Sequence, residues 1–122
     1  MNSAEDSSPA ATTFMHVPAA ELPLAGLVVV EMGSSIAGPY AARILNDMGA
    51  QVYKVEHPDG GDVARSWGAQ TLHGATSAHQ CMNRGKQSIT VDMKNGEEVA
   101  RLKRFIVQNV DIVLQNLRPG SA

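Results

Sequence analysis

A single cysteine, Cys81, rules out an intrachain disulfide, and the fold needs no oxidising compartment. No apolar run is long enough to span a membrane. The first 20 residues lack Lys and Arg, carry Glu5 and Asp6 and hold no continuous apolar stretch, which argues against a secretory signal and an organelle transit peptide. The cytoplasm is the expected location. The same stretch is rich in Ser, Ala, Thr and Pro, with too few large apolar side chains to offset the entropy of ordering, so residues 1–20 are expected to be a disordered tail.

Chemical signatures are also missing. Gly33-x-x-x-x-Gly38 has the glycine spacing of a phosphate loop but continues Pro39-Tyr40, where a nucleotide-triphosphate loop needs Lys and Ser or Thr. There is no G-x-G-x-x-G for a dinucleotide and no G-x-S-x-G for a nucleophilic serine. His16 lies in the tail, and His73, His79 and Cys81 give a spacing that fits no zinc site, so no metal is expected. Paired acids for proton transfer are not evident.

What remains is one domain's worth of chain, 122 residues with a net charge of −2 and 43% hydrophobic residues. Leu27 to Glu31 is a valine-rich run suited to a strand buried on both faces. Small residues then lead to Pro39, which fits a first helical position, and Ala41, Ile44, Leu45 and Met48 fall on one helical face before Gly49 ends it. Gln51 to Glu56 reads as the next strand. From His57 to Gly85 the pattern is irregular, opening on the turn signal Pro58-Asp59-Gly60-Gly61-Asp62; so long a loop is either functional or hides a short helix. Ser88 to Asp92 alternates as a strand, Asn95 with Glu98 caps a helix whose apolar face is Val99, Leu102 and Ile106, and Asp111 to Leu114 is a fourth strand.

Four strands separated by two helices predict an α/β fold, half of a Rossmann-like, doubly wound parallel sheet with flanking helices. Ligands bind beyond the carboxyl ends of such strands, so segments 32–38, 56–62, 92–94 and 115–120 are expected to share one rim. Between Arg84 and Arg118 seven basic residues face four acidic ones, a surplus that favours a small polyanion and does not suggest nucleic acid. Arg101, Lys103 and Arg104 read as a solvated helix face.

Three stretches are distinctive in combination: Pro23-Leu24-Ala25-Gly26-Leu27-Val28-Val29-Val30-Glu31 with Ala37-Gly38-Pro39-Tyr40-Ala41; Asp47-Met48-Gly49-Ala50-Gln51-Val52-Tyr53-Lys54-Val55-Glu56-His57-Pro58 with Gly61-Asp62 and Arg65; and Asn83-Arg84-Gly85-Lys86-Gln87-Ser88-Ile89 with Asp111-Ile112-Val113-Leu114-Gln115-Asn116-Leu117-Arg118-Pro119-Gly120. Across residues 22 to 120 they closely resemble the opening of family III CoA-transferases, the CaiB/BaiF family. The resemblance implies coenzyme A or an acyl-CoA as substrate with a carboxylic acid as its partner, or, in one branch, racemisation of 2-methylacyl-CoA. It implies chains roughly three times this length that form interlocked homodimers, and residues 21–122 as the N-terminal part of the CoA-binding Rossmann-like domain. CoA contacts carry over to Ile36, Ala37, His57, Val91, Asp92, Met93, Lys94, Asn116, Leu117 and Arg118. Lys94, Arg118 and protonated His57 would meet phosphates, with Val91, Met93 and Leu117 flanking the adenine or the pantetheine arm.

Relatives often carry Arg where this chain has His57, which makes a phosphate contact there weaker and pH-dependent. Glutamine is common in transferases at the position of Ile36, and Glu at that of Gln115. The family's catalytic aspartate lies well after Arg-Pro-Gly, so no catalytic residue is expected here and these residues alone are expected to be inactive. The chain reads as a fragment, an interrupted product or a noncatalytic remnant, and a stand-alone ligand-binding or interaction module is the alternative to a transferase piece. Without its missing elements the sheet is expected to expose an apolar edge.

Overall fold

The computed structural model describes residues 17–69 and 74–120. Strands β1 (Val28–Met32), β2 (Gln51–Glu56), β3 (Gln87–Thr90) and β4 (Ile112–Gln115) form one parallel sheet in the order β3-β2-β1-β4. Helices α1 (Ala37–Asp47), α2 (Ser77–Asn83) and α3 (Gly96–Asn109) connect them. The α/β expectation holds, with three strands displaced by a residue or two from their predicted bounds.

Helices α1 and α2 pack against each other on one face of the sheet. α3 carries the chain from the β3 edge across to the β4 edge, and Phe105 meets Tyr53 edge-on at 5.2 Å between ring centroids on the opposite face. The reversal of winding puts a topological switch point between β1 and β4, where the carboxyl ends diverge and leave a crevice.

Register explains what each face buries. Val29 pairs with Val52 and Ile112, and Glu31 pairs with Lys54 and Leu114, so these side chains share the α1 face. Near the strands' amino ends that face is apolar: Val29, Val52, Ala42 and Ala50 form a closed cluster, with Leu24, Leu27 and Leu45 against it. Full burial of each valine contributes about 1.5–3 kcal/mol. Toward the carboxyl ends the same face becomes charged, because the next inward positions are Glu31, Lys54 and Glu56.

Three local expectations are corrected. Pro39 is the third residue of α1, not the first; Ile36 is the N-cap, and the Tyr40 N–H donates to its carbonyl at 2.7 Å. Proline is tolerated there because the N–H groups of the first turn have no intrahelical acceptor. The buried residues of α1 are Gly38, Pro39 and Ala42, with Leu45 half-buried below them, whereas Ile44 and Met48, predicted inward, join Ile36 and Tyr40 as exposed apolar side chains at four-residue spacing. Small residues let the helix approach the sheet closely, and that sets which side faces in. The irregular stretch after His57 holds a 3-10 turn (Val63–Ser66) and α2, capped by Thr76, so the described residues form three α-helices where two were expected. α2 has two turns and no apolar repeat, hence no periodic signal.

The Gly49 stop is observed at φ 104°, where a Cβ would lie 2.6 Å from the Cβ of Leu22. The cap of α3 is also as read. The Asn95 side chain accepts from the N–H groups of Glu97 and Glu98, while Glu98 reaches back to the Asp92 N–H at 2.7 Å. Leu102 is buried, with Val99 and Ile106 half-buried and Phe105 joining them. Of the expected tail, residues 1–16 lie outside the described residues, as does His73; Val17–Ala20 are exposed, and Ala19–Glu21 makes one 3-10 turn. Among the described residues no helix is long and apolar enough to cross a membrane, and no cluster of His, Cys, Asp or Glu could hold a metal ion. The expected apolar exposure is found on edge strand β4, at Ile112 and Val113.

Candidate functional site

Beneath the carboxyl ends of β1 and β2 lies a layer of buried charge. Lys54 Nζ sits 3.2 Å from Glu31 Oε1 and 2.8 Å from Asp62 Oδ2, and donates to the Gly33 carbonyl at 3.1 Å. Lys86, arriving just before β3, places its Nζ 3.1 Å from Glu31 Oε2 and 2.7 Å from the Pro39 carbonyl. Arg65 grips Glu56 with two hydrogen bonds of 2.8 and 2.7 Å, and the Ser88 hydroxyl donates to the same carboxylate. Three carboxylates thus meet three cations. Each charge removed from water is compensated by partners on different segments.

The titration behaviour follows. Burial alone would raise Glu56, but the hydrogen bonds from Arg65, Ser88 and the Asp62 N–H outweigh it and hold the carboxyl at about 2. For Asp62 burial is likewise overcome, by Lys54 and by the N–H groups of Ala64 and Ser35, and its pKa is lowered. Burial lowers Lys86 despite its contact with Glu31. His79 of α2 is buried 3.8 Å from Glu56, and burial together with the nearby Arg65 charge pushes it down toward the neutral form.

This layer holds up the loops above it. Asp62 Oδ1 accepts from the Ala64 N–H at 2.9 Å, which caps the 3-10 turn, and from the Ser35 N–H at 3.1 Å. Ser35 has φ 69°, a left-handed value and the sole positive φ of a non-glycine residue among those described. From the other side Asn116 clamps Ser34, accepting from its N–H at 3.0 Å and donating to its carbonyl at 3.1 Å. Gly33 is required between them: a Cβ there would lie 2.6 Å from Glu31 Oε1 and 2.8 Å from Asn116 Oδ1. The first turn is therefore fixed by β2's loop and by the exit of β4 together.

All four expected rim segments meet around one pocket of about 190 Å3. β1 contributes Met32 to Ser34, β2 gives Val55 to His57 with Gly61 and Asp62, β3 adds Val91 and Met93, and β4 adds Leu117. Ile36 and Ala37 stand exposed at the start of α1 beside it. His57 Nδ1 lies 3.0 Å from the Asp59 N and 3.3 Å from the Asp59 carbonyl oxygen, and Nε2 lies 3.9 Å from Asp92 Oδ1. Asp92 Oδ1 accepts from the Lys94 N–H. The amide of Asn116 is occupied by Ser34, so that residue acts on the turn. Lys94 and Arg118 are exposed and make no ion pair or side-chain hydrogen bond with another described residue.

The basic surplus is redistributed by the fold. Arg84 pairs with Asp47 at 2.9 Å and Lys86 with Glu31, both partners outside the 84–118 stretch, which leaves Lys94, Arg101, Lys103, Arg104 and Arg118 as its unpaired cations. The reading from sequence missed the buried layer. Its signal was in β2, where strict alternation puts Lys54 and Glu56 on the same inward face as Val52, and an inward charge requires a partner.

Residues 24–122 match the family model described as CoA-transferase family III. The alpha subunit of succinyl-CoA–L-malate CoA-transferase from Chloroflexus aurantiacus is 41% identical over 95% of this chain and 28% of its own length. Succinate–glutarate CoA-transferase from Agrobacterium fabrum is 39% identical over 84% of this chain and 27% of its own. A crystal structure of a CaiB/BaiF family protein from Brucella suis superposes with a TM-score of 0.74 at 38% identity, covering 80% of this chain and 26% of that one. The chain thus spans little more than a quarter of the length of these relatives. With sequence match and fold in agreement from the first strand to the last, it belongs to CoA-transferase family III.

Proposed function

We propose that this chain is the CoA-holding N-terminal portion of a CoA-transferase that moves coenzyme A between an acyl-CoA and a carboxylic acid. The observation that carries the reading is the rim pocket, lined from all four strand ends; the unpaired cations Lys94 and Arg118 do not line it but directly follow Met93 and Leu117, which do. Phosphates would meet those cations and His57, while Val91, Met93 and Leu117 supply apolar walls for the adenine or the pantetheine arm.

In such a transfer an enzyme carboxylate attacks the thioester carbonyl to give a mixed anhydride and CoA thiolate. The thiolate attacks the enzyme's own carbonyl of that anhydride, forming an enzyme thioester and releasing the donor carboxylate. The acceptor carboxylate then attacks this thioester, and the thiolate it expels attacks the acceptor's carbonyl to give the new acyl-CoA and free the enzyme carboxylate. The carboxylates beneath the rim are unsuited to attack. Glu56 and Asp62 are buried and hydrogen-bonded to cations, which lowers both nucleophilicity and access. The nucleophile is accordingly assigned to the further chain that the relatives possess, and the chain described here to binding and orientation. By the family resemblance the whole protein is an interlocked homodimer of the cytoplasm, and exposed Ile112 and Val113 on β4 suit an edge covered by further elements.

Calorimetry tests the seat. Lys94→Ala should weaken CoA binding by about 1–3 kcal/mol, the range for a hydrogen bond to a charged group. Unchanged affinity would remove Lys94 from the site, and comparison with dephospho-CoA would show which phosphate it meets.

A further inference from the structure

His79 Nε2 is buried and has no hydrogen-bond partner among the described residues, a state that a polar atom seldom keeps without a reason. It lies 3.8 Å from Glu56 Oε1. That oxygen is already engaged, because the Arg65 Nε–H donates to it at 2.8 Å and the Asp62 N–H at 3.0 Å, which takes up its lone pairs. Gly61 closes the space beside it, since a Cβ there would lie 2.7 Å from Oε1. Neutral His79 is thus a bystander at the edge of the buried charge layer.

A proton changes this. A buried imidazolium needs a charged partner, and Glu56 is the carboxylate in contact with Nε2 among the described residues. The other charges around α2 are committed. On β2, Lys54 holds Glu31 and Asp62; in the turn after β2, Arg65 grips Glu56. On α1, Asp47 pairs with Arg43 and with Arg84 at the end of α2, the Cys81 thiol accepts from Arg43, and Lys86 is bound to Glu31. To bond Oε1, protonated His79 must displace one of its two donors. Arg65 is charged and keeps a second bond to Oε2 at 2.7 Å, whereas the Asp62 N–H is neutral and has the longest of these bonds, so it is the one released. The Asp62 carboxylate holds the Ser35 N–H and caps the 3-10 turn, so its release loosens the turn after β2 and the first turn together. Thr76 ties α2 to the same turn, since its hydroxyl accepts from the His79 N–H and donates to the Ala64 carbonyl.

From the orphaned nitrogen, the fully engaged carboxylate oxygen and the hold of Asp62 on two turns, we infer that His79 is a pH-sensitive positioning residue: neutral, it leaves the rim assembled; protonated, it draws Glu56 away from the Asp62 N–H and opens the β2 side of the rim. Burial and the Arg65 charge favour the neutral ring while the rim is assembled, and opening lets the ring reach water and titrate near its ordinary 6.5. The opened form therefore carries the extra proton. Its population grows as pH falls below that value, by up to about tenfold per pH unit. The consequence for ligand affinity rests on the CoA reading above, whereas the opening itself does not.

The test is amide hydrogen exchange of the chain from pH 7.5 to pH 5.5, corrected for the intrinsic pH dependence of exchange, beside an NMR titration of the His79 ring. The opening behind exchange at the Asp62 and Ser35 N–H groups should become about tenfold more populated across this range. It should stay insensitive to low urea and faster than exchange at Val30, whose strand is paired on both sides and opens only with the whole fold. His79→Gln should abolish the rise; the ring titration and the exchange are read on the unaltered chain, so they decide the matter even where the variant fails to fold. Saturating CoA should suppress the rise. CoA affinity should also fall with pH more steeply in the unaltered chain than in His79→Gln, a comparison in which the ligand's own phosphate and His57 cancel. A ring that titrates near 6.5 in the fold, or exchange at the two groups that is no faster than at Val30, overturns the inference. If CoA binds and Lys94→Ala weakens it while exchange at the two groups stays flat, the rim reading stands and the role of His79 is overturned. If exchange rises as expected and CoA leaves it unchanged, the role of His79 stands and the CoA reading of the rim fails.

Discussion

The chain uses charge in two opposite ways within a few residues. Below the rim, Lys54 and Lys86 are buried and each touches a carboxylate and a backbone carbonyl; at the rim, Lys94 and Arg118 stand exposed and unpaired. The buried set ties together β1, β2, the loop after β2 and the approach to β3, so it determines where the rim segments sit. The exposed set leaves its hydrogen-bonding capacity for something outside the chain. Sign and residue type do not separate these roles. Burial and partners do.

Removing one member of each set should break the comparison open. Lys54→Ala leaves Glu31 and Asp62 buried without their shared cation, and the expected loss is about 3–5 kcal/mol of folding stability. Lys94→Ala should change stability by no more than about 0.5 kcal/mol, as at other exposed sites. Urea denaturation of the two variants reads both numbers. A loss below about 1 kcal/mol for Lys54→Ala would mean that water reaches the layer and that it does not organise the rim.

Of the two sets, acid should act on the buried one. Glu56 titrates at 4.5 when unperturbed and at about 2 in the fold, so the unfolded chain takes up this proton first. Its contribution, on the order of 3 kcal/mol, is present above pH 4.5 and is lost as pH falls toward 2. Asp62, also lowered, adds to the loss below pH 3.8. His79 works in the same direction earlier: unfolded it protonates near 6.5, while in the fold it stays neutral to lower pH, so stability begins to fall below pH 6.5. Thermal melts from pH 7 to pH 3 should therefore show a decline that starts before the carboxylates titrate. His79→Gln should remove that early part, whereas Lys94→Ala should leave the profile unchanged; a flat wild-type melt from pH 6.5 to pH 5 would contradict the buried, neutral reading of His79.

How far these features were readable depends on whether the signal is periodic or spatial. The four strands, the Gly49 stop and the Asn95 cap were legible because each is a local pattern of a few residues. So was the convergence of segments 32–38, 56–62, 92–94 and 115–120, which follows from the parallel topology. α2 was not legible, being two turns of Ser77-Ala78-His79-Gln80-Cys81-Met82-Asn83 without an apolar repeat, and the inward face of α1 was misread because small residues rather than large ones face the sheet. The partners of Lys54, Lys86 and Arg65 are set by side-chain contacts across strands and loops, which no local pattern encodes. The same holds for Asn116, whose amide clamps a serine 82 positions earlier.

The smallest expected effect probes the turn that both sets of residues meet. Ser35 holds φ 69°, and for a residue with a Cβ the left-handed region costs roughly 1–2 kcal/mol. Its N–H is held by Asp62, and Ser34 beside it is held on both sides by Asn116, so the conformation is imposed from outside the turn. Ser35→Gly keeps these backbone contacts and relieves the strain, while adding freedom to the unfolded chain worth about 0.5–1 kcal/mol. The two nearly cancel. Stability should change by no more than about 1 kcal/mol, with CoA affinity held within about twofold. Asp62→Asn tests the other side, since it weakens the grip on the Ser35 N–H and leaves Lys54 with one buried carboxylate fewer. If Ser35→Gly instead loosens CoA binding as much as Asp62→Asn does, the turn depends on its own side chain, and the buried layer does not set the shape of the rim.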